Sequence, residues 1–365
     1  VKVLYILPKG LFIEGISAIV LNYFHNIDEN KISIDFVVPF VIPSIEKAIK
    51  DKGRKIYLIQ GRKKNPFKYI KELTRVIKEG EYDAVHAHGS SAMICIEMIA
   101  AKRAGCKIRI AHSHNTKTDH KVLDKILRPI LYKTYTNGFA CGKEAGKWLF
   151  KKRKFEIINN GKNIEEYEYN SKIRQEVRKK YNLSEKIVIG HVGGFNYQKN
   201  HEYLLDIFYQ LNAINKNKYA LILIGDGKLR LQIEEKAKRL GIFDNIIFTG
   251  NTSKVSEWLQ AMDIMVLPSR FEGFPNVVVE WQLSGLPCLI SDKITKDVKL
   301  TRLVEFASID VEPKKWAKKI EKIKSEDRES SKKEIYKDIK EKGFDIKENA
   351  KKLERIYMQL YKGVN

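Results

Sequence analysis

The chain predicts an α/β protein made of two parallel-sheet halves. Three observations carry that prediction. Short apolar, strand-like runs alternate with helix-like segments from one end to the other. The 365 residues suit two domains of ordinary size, and 43% hydrophobic content supplies two cores. A turn-rich run, Asn159-Asn160-Gly161-Lys162-Asn163, interrupts the alternation near the middle.

In the first half, apolar runs bounded by turn residues predict strands near Val3–Leu7, Ser33–Val38, Lys55–Ile59, Ala84–His88, Ile108–His112 and Gly138–Cys141. Helical spacing falls near Ser17–His25, Pro66–Lys78, Ser91–Arg103 and Lys121–Tyr135. The second half repeats the pattern, with strands near Ile187–His191, Ala220–Ile224, Asn245–Phe248, Ile264–Leu267 and Pro287–Ile290. From Lys314 to Lys362 the chain is Lys/Glu-rich and helical in pattern, ending in an amphipathic segment at Ile346–Tyr361.

Composition narrows the function. No apolar run reaches the ~18–20 residues of a membrane span, and no signal peptide is visible, although the chain begins at Val1 without Met. Cys95, Cys106, Cys141 and Cys288 are scattered without metal-ligand spacing, and read as buried free thiols of a cytosolic protein. Net charge is +23, and Lys and Arg exceed Asp and Glu by 15 over residues 1–160. The excess gathers at Lys47–Lys78, Lys117–Lys133 and Lys151–Lys154. A solvated basic face is one reading. Anionic lipid headgroups are the partner expected here, helped by Trp148, Leu149 and Phe150 beside the Lys151–Lys154 cluster. Nucleic acid is not expected, because no recognition motif accompanies the charge.

Chemistry concentrates at strand ends. Asp263–Pro268 reads as a buried strand, followed by Ser269-Arg-Phe-Glu272-Gly273-Phe274-Pro275-Asn276 and the helical run Val-Val-Val-Glu280. Asn276 is placed as the helix N-cap. Free N–H groups at such a turn receive an anion, and a carboxylate on either side can grip hydroxyls, which suggests a nucleotide-sugar. In Gly190-His-Val-Gly193-Gly194-Phe-Asn-Tyr-Gln-Lys199-Asn200, a strand enters two glycines and then a Lys at a helix start. Glycine permits close approach to a phosphate, and Lys at the positive end of a helix calls for an anionic partner. Gly225-Asp-Gly and Thr249-Gly250-Asn251 end the next two strands, at the sheet edge where α/β proteins bind ligands. In the first half, His112-Ser-His114 and His86-Ala-His88 end neighbouring strands. Paired histidines there favour function over packing, while the lack of carboxylate spacing argues against a metal.

These motifs resemble retaining glycosyltransferases of the GT4 family, the glycosyl transferases group 1 of bacterial capsular and exopolysaccharide synthesis. The resemblance covers nearly the whole chain and is strongest from Ile187 to Ile290, where Glu272 and Glu280 match a Glu-x7-Glu motif. It implies the GT-B fold: two Rossmann-like domains facing across a cleft, with the last helix crossing back to the first domain. The expected domains are 1–160 with about 346–365 for the acceptor, and 161–345 for the donor. The implied reaction moves a sugar from a nucleotide-diphospho-sugar, a UDP-sugar for choice, to a hydroxyl of a lipid-linked or oligosaccharide acceptor. No metal or further cofactor is expected, and the place of work is the cytoplasmic face of the membrane.

The resemblance also distributes roles. Lys199, Glu272 and His112 are the catalytic candidates. Gly15, Gly193, Gly194, Gly225, Thr249, Gly250, Asn251, Gly273, Phe274, Pro275, Asn276 and Glu280 bind donor, with Glu280 on the ribose. His86, His88 and His114 are assigned to the acceptor side. The chain departs from the family pattern three times: Gly194 stands where a diphosphate-binding Arg is usual, Glu14-Gly15 where Gly-Gly is usual, and Lys162-Asn163 where Ile-Asp is usual. The missing Arg keeps a weakly active or non-catalytic subunit open as an alternative, beside a sugar-nucleotide epimerase on the same fold.

Overall fold

A computed structural model of the chain describes residues 1–12, 15–116, 118 and 120–364. Glu14 of the first glycine turn and Lys117 of the second basic cluster lie outside the described residues. Two compact units form: Val1–Gly161 with Gly343–Asn365, and Lys162–Lys342.

The first unit runs β1 (Lys2–Ile6), α1 (Gly15–Asn26), β2 (Ser33–Val38), α2 (Pro43–Asp51), β3 (Ile56–Leu58), α3 (Pro66–Glu79), β4 (Ala84–Gly89), α4 (Cys95–Arg103), β5 (Ile108–Ser113), α5 (Lys121–Thr134), β6 (Asn137–Ala140), α6 (Lys143–Phe150) and β7 (Glu156–Ile157). Its strands pair in parallel in the order β3-β2-β1-β4-β5-β6-β7. Alternation along each strand separates two cores. Val3, Tyr5, Ile108 and Ile110 face one side, and Leu4, Ile6, Val85 and Ala87 face the other.

The second unit runs α7 (Ser171–Lys180), β8 (Ile187–Val192), α8 (His201–Ile214), β9 (Tyr219–Ile224), α9 (Arg230–Arg239), β10 (Ile246–Gly250), α10 (Val255–Ala261), β11 (Ile264–Leu267), α11 (Asn276–Leu283), β12 (Cys288–Ser291), β13 (Val304–Ala307), α12 (Pro313–Lys322) and α13 (Arg328–Glu341). Its parallel order is β10-β9-β8-β11-β12-β13. In both sheets the order reverses once, between β1 and β4 and between β8 and β11. The carboxyl ends of the strands on either side of such a reversal form the crevice where doubly wound sheets bind ligands.

The Lys/Glu-rich tail is three helices. Pro313 opens α12, Asp327 caps α13 by accepting from the Ser330 N–H, and Asp345 caps α14 (Ile346–Lys362) by accepting from the Lys347 N–H. Gly343, at φ +78°, makes the turn before α14. That last helix belongs to the first unit, where it packs against α1 and buries Leu353 and Tyr357 over β1. Each such large side chain contributes about 1.5–3 kcal/mol when fully buried.

Candidate active site

In the second unit the loops after β8 and β11 leave adjacent strands at the reversal point, and side chains join them. The Lys199 Nζ lies 2.7 Å from Glu272 Oε1. Gln198 Nε2 donates to Glu272 Oε2 at 2.7 Å, Ser269 Oγ donates to Oε1 at 2.9 Å, and the Arg270 N–H donates to the Gln198 carbonyl at 2.8 Å. The expected anionic partner of Lys199 is therefore a carboxylate of the chain itself. Gly193 makes room for this cation, since a Cβ there would stand 2.9 Å from Lys199 Cε. Gly225, at φ +133°, lies against the same loop, and a Cβ on it would meet the Gly193 carbonyl oxygen at 2.4 Å.

Gly194 differs from both. Its φ lies outside the left-handed region, and a Cβ would meet Asn196 Nδ2 at 3.4 Å and the Asp226 carbonyl at 3.5 Å, ordinary contacts. The backbone does not require glycine here. The same strand end carries another cation, Arg270, whose guanidinium lies 4.4 Å from the Tyr197 ring centre. Its buried Nε has no hydrogen-bond partner among the described residues.

Thr249 and Gly250 end β10 and Asn251 follows it, and the Gly225 N–H donates to the Gly250 carbonyl at 3.0 Å. Gly273, Phe274 and Pro275 form the loop between β11 and α11. Asn276 is the first helical residue and Pro275 occupies the cap position, so the expected cap moves by one residue.

Glu280 sits one turn into α11 and is buried, as is Lys162, whose Nζ lies 2.5 Å from Glu280 Oε1. The two motif carboxylates thus have different partners. Burial first, then the Glu280 charge, holds the nearby Glu166 carboxyl above its ordinary range, while Lys162 pulls the other way. Sequence reasoning noticed Lys162 only as a departure from pattern. The signal it offered was a glutamate inside an apolar run, which needs a cation.

In the first unit, Gly15 opens α1 at φ +65°, a conformation that suits glycine. The four histidines assemble. His86, His88 and His112 leave β4 and β5 on the face covered by α1 and α14, and His114 follows β5. His86 Nε2 lies 3.0 Å from His112 Nδ1, and His88 Nδ1 lies 3.0 Å from His114 Nε2. The two hydrogen-bonded pairs stack, with ring centres 4.2 Å apart for His86–His88 and 4.1 Å for His112–His114. Burial lowers all four below the ordinary imidazole range, His114 to about 3, and neighbouring imidazoles add to the effect on the other three. All four are neutral at physiological pH. One nitrogen from each of His86, His88 and His112 falls within 4.8 Å of the others, a spacing compatible with a cation. His86, however, has both nitrogens engaged, with Tyr357 and His112.

Of the residues expected to face lipid, Leu149 and Phe150 are fully buried, and Trp148 is half-buried and stacks on Arg128 at 4.7 Å. Sequence alone could not say which face α6 turns inward. Exposed apolar residues lie instead on α5: Val122, Leu123, Ile126 and Ile130, with Ile126 62% exposed, interleaved with Lys121, Lys125 and Lys133. No helix among the described residues is long and apolar enough to cross a membrane.

The family model for glycosyl transferases group 1 matches residues 173–344. EpsF of Bacillus subtilis, named a glycosyltransferase, is 31% identical over 377 residues, covering 98% of this chain and 96% of EpsF. The UDP-Gal:alpha-D-GlcNAc-diphosphoundecaprenol alpha-1,3-galactosyltransferase of Escherichia coli is 27% identical over 281 residues, covering 71% and 67%. Among solved structures, Anabaena HepE in complex with UDP and glucose superposes with a TM-score of 0.77 at 15% identity, covering 98% of this chain and 99% of that one, a likeness of fold. Two doubly wound sheets, a Lys–Glu contact at the reversal point of the second and 31% identity sustained along 98% of the chain lead to one conclusion: the protein belongs to the glycosyl transferases group 1 family, and is a glycosyltransferase of GT-B fold.

Proposed function

We propose that the second unit binds a nucleotide-diphospho-sugar, a UDP-sugar for choice, and that the chain transfers the sugar with retention to a hydroxyl of a lipid-linked or oligosaccharide acceptor in cell-surface polysaccharide synthesis. The observation that carries this reading is the Lys199–Glu272 contact across the reversal point. A cation and a carboxylate held there meet the two ends of such a donor. Lys199 serves the diphosphate and Glu272 the sugar hydroxyls, so donor binding exchanges one internal ion pair for two external contacts. The names of two similar proteins support the substrate class, UDP with glucose for HepE and a UDP-galactose donor with a diphosphoundecaprenol-linked acceptor for the Escherichia coli enzyme.

In the chemical step the sugar–phosphate bond breaks and negative charge develops on the leaving diphosphate. Lys199 stabilises that charge, with Arg270 as the second cation in place of an Arg at Gly194. The departing phosphate takes the acceptor proton as the new bond forms on the same face. Gly193, Gly225, Gly273 and Phe274–Asn276 offer close backbone approach, Thr249–Asn251 reads the base, and Glu280 holds the ribose beside Lys162. His112 contacts the transferred sugar, with His86, His88 and His114 toward the acceptor. Cationic side chains and N–H groups take the part a metal plays elsewhere.

The chain works at the cytoplasmic face of the membrane, and α5 is its contact with anionic lipid. Transfer from a panel of UDP-sugars tests the reading. Lys199→Ala is expected to lose at least about tenfold in rate, roughly 1.4 kcal/mol, with UDP affinity falling as well. An unchanged rate would remove the donor from this strand end.

A further inference from the structure

The loops after β8 and β11 are held to each other by backbone as well as by side chains. The Arg270 N–H donates to the Gln198 carbonyl at 2.8 Å, and Asn200 Nδ2 donates to the Pro268 carbonyl at 3.1 Å. Glu272 hangs between the two loops, its side chain 8% exposed. Its contacts fall unevenly on its two oxygens. Among the described residues, Oε1 takes the Lys199 ammonium at 2.7 Å and the Ser269 hydroxyl at 2.9 Å, whereas Oε2 takes only the Gln198 amide at 2.7 Å. The direction of each contact is fixed by chemistry. A carboxylate paired with an ammonium only accepts, and the ammonium, hydroxyl and amide N–H groups donate.

A carboxylate offers about four acceptor sites, two on each oxygen. Oε1 is therefore full, and Oε2 has one site open. Under the reading given under Proposed function, the donor draws Lys199 to the diphosphate. One site on Oε1 then opens beside the one already open on Oε2. Ser269 and Gln198 keep the other two and do not leave with the cation. Ser269 is fully buried, and Gln198 is anchored through its own carbonyl by the Arg270 N–H. One open site on each oxygen of a single carboxylate suits two donors side by side, the arrangement that a guanidinium fork also satisfies. On a sugar ring, two such donors are hydroxyls on adjacent carbons.

We propose that Gln198 and Ser269 are positioning residues that leave Glu272 one open acceptor site on each oxygen, so that the site selects a donor sugar with two free hydroxyls on adjacent ring carbons. A sugar that is deoxy, keto or O-substituted at either carbon brings one donor where two are needed. It leaves a carboxylate oxygen unmet, and that costs affinity. The uneven set of contacts on Glu272 stands by itself; the release of Lys199, and with it the choice of sugar, rests on the donor reading.

The test is calorimetric titration of the full chain with UDP, UDP-glucose, UDP-galactose and UDP-N-acetylglucosamine. Monodeoxy analogues of the UDP-sugar that adds most affinity over UDP then measure each hydroxyl. Losses are expected at two adjacent carbons, about tenfold each, as for a hydrogen bond to a charged acceptor. Glu272→Ala is expected to abolish both. Gln198→Met removes the amide donor at a partly exposed position. It is expected to leave UDP affinity unchanged while both losses shrink, because the carboxylate is no longer held at Oε2. Ser269→Ala tests the other oxygen in the same way, and Ser269→Thr, which keeps the hydroxyl, is expected to restore discrimination. A merely structural role would move UDP and UDP-sugar affinity together. Losses at one carbon only, losses at carbons that are not adjacent, or Gln198→Met and Ser269→Ala proteins that discriminate as the wild type does would overturn the proposal and leave the donor reading standing. Losses that persist in full in Glu272→Ala, or no binding of UDP and UDP-sugars, would remove the donor reading and the proposal with it.

Discussion

Substituting Gly194 by Arg tests the placement of the donor diphosphate directly. The geometry makes the experiment clean. Gly194 has no left-handed φ, and a Cβ there stays at least 3.4 Å from its neighbours. The substitution therefore adds no backbone strain, and removing a glycine's freedom from the unfolded chain favours folding by a few tenths of a kcal/mol to about 1. The position follows Gly193, where a Cβ would stand 2.9 Å from Lys199 Cε. A guanidinium placed there and bonded to phosphate adds a charge-assisted contact of about 1.5–3 kcal/mol. Because a long side chain must be ordered, the lower figure is the better guide, so UDP binding is expected to tighten about tenfold. The gain should shrink as salt rises. Calorimetric titration of both proteins with UDP, alongside melting curves, reads affinity and stability separately. Unchanged affinity at unchanged or higher melting temperature would mean that this loop does not face the diphosphate, and the donor assignment of the second unit would fall with it.

Two further expectations follow from burial. Because His86, His88, His112 and His114 are held below their ordinary pKa of ~6.5 in the folded chain, the unfolded chain binds protons that the folded one refuses. Stability is full above about pH 6.5 and falls as pH drops toward the folded values. A single such group contributes at most about 1.4 kcal/mol per pH unit, so stability is expected to decline steadily as pH drops below about 6.5; denaturant titrations that stay flat on acidification would refute neutral burial. On α5, Ile126→Asp replaces a residue that is 62% exposed, so the fold should hold while adsorption to anionic vesicles drops about tenfold. Equal adsorption by the variant, or equal adsorption to neutral vesicles, would leave α5 a solvated basic face.

The centre of each sheet was legible because fully buried parallel strands are continuous apolar runs. The edges were not. β7 has two residues, and β13 interrupts its apolar pattern with the exposed Glu305, so neither rises above its surroundings. α2 has helical spacing at Ile45, Ala48 and Ile49 but only nine residues and one buried side chain, Ile49, too short a run to stand out. At the site, Lys199 could be anticipated as a cation in need of an anion, because local helix electrostatics demand one. That the anion is Glu272, 73 residues later, is a tertiary fact. Tyr357 was visible only as part of the apolar stripe of the last helix. Its hydroxyl acquires meaning only once β4 and β5 bring the histidines beneath it.

The Lys162–Glu280 pair constrains how this chain can diverge. A lineage that replaces Lys162 by an apolar residue acquires in one step a buried carboxylate without its counter-charge, destabilising by about 3–5 kcal/mol. That is a large share of the ~5–15 kcal/mol that holds an ordinary protein folded. Neutralising Glu280 first strands an ammonium instead. Either order crosses a trough of poorly folded intermediates, so the two positions should drift as a couple although 118 residues separate them. Grafting the 161–163 segment of a relative with Ile and Asp at its end into this chain would fall into the same trough unless the surroundings of Glu280 travelled with it.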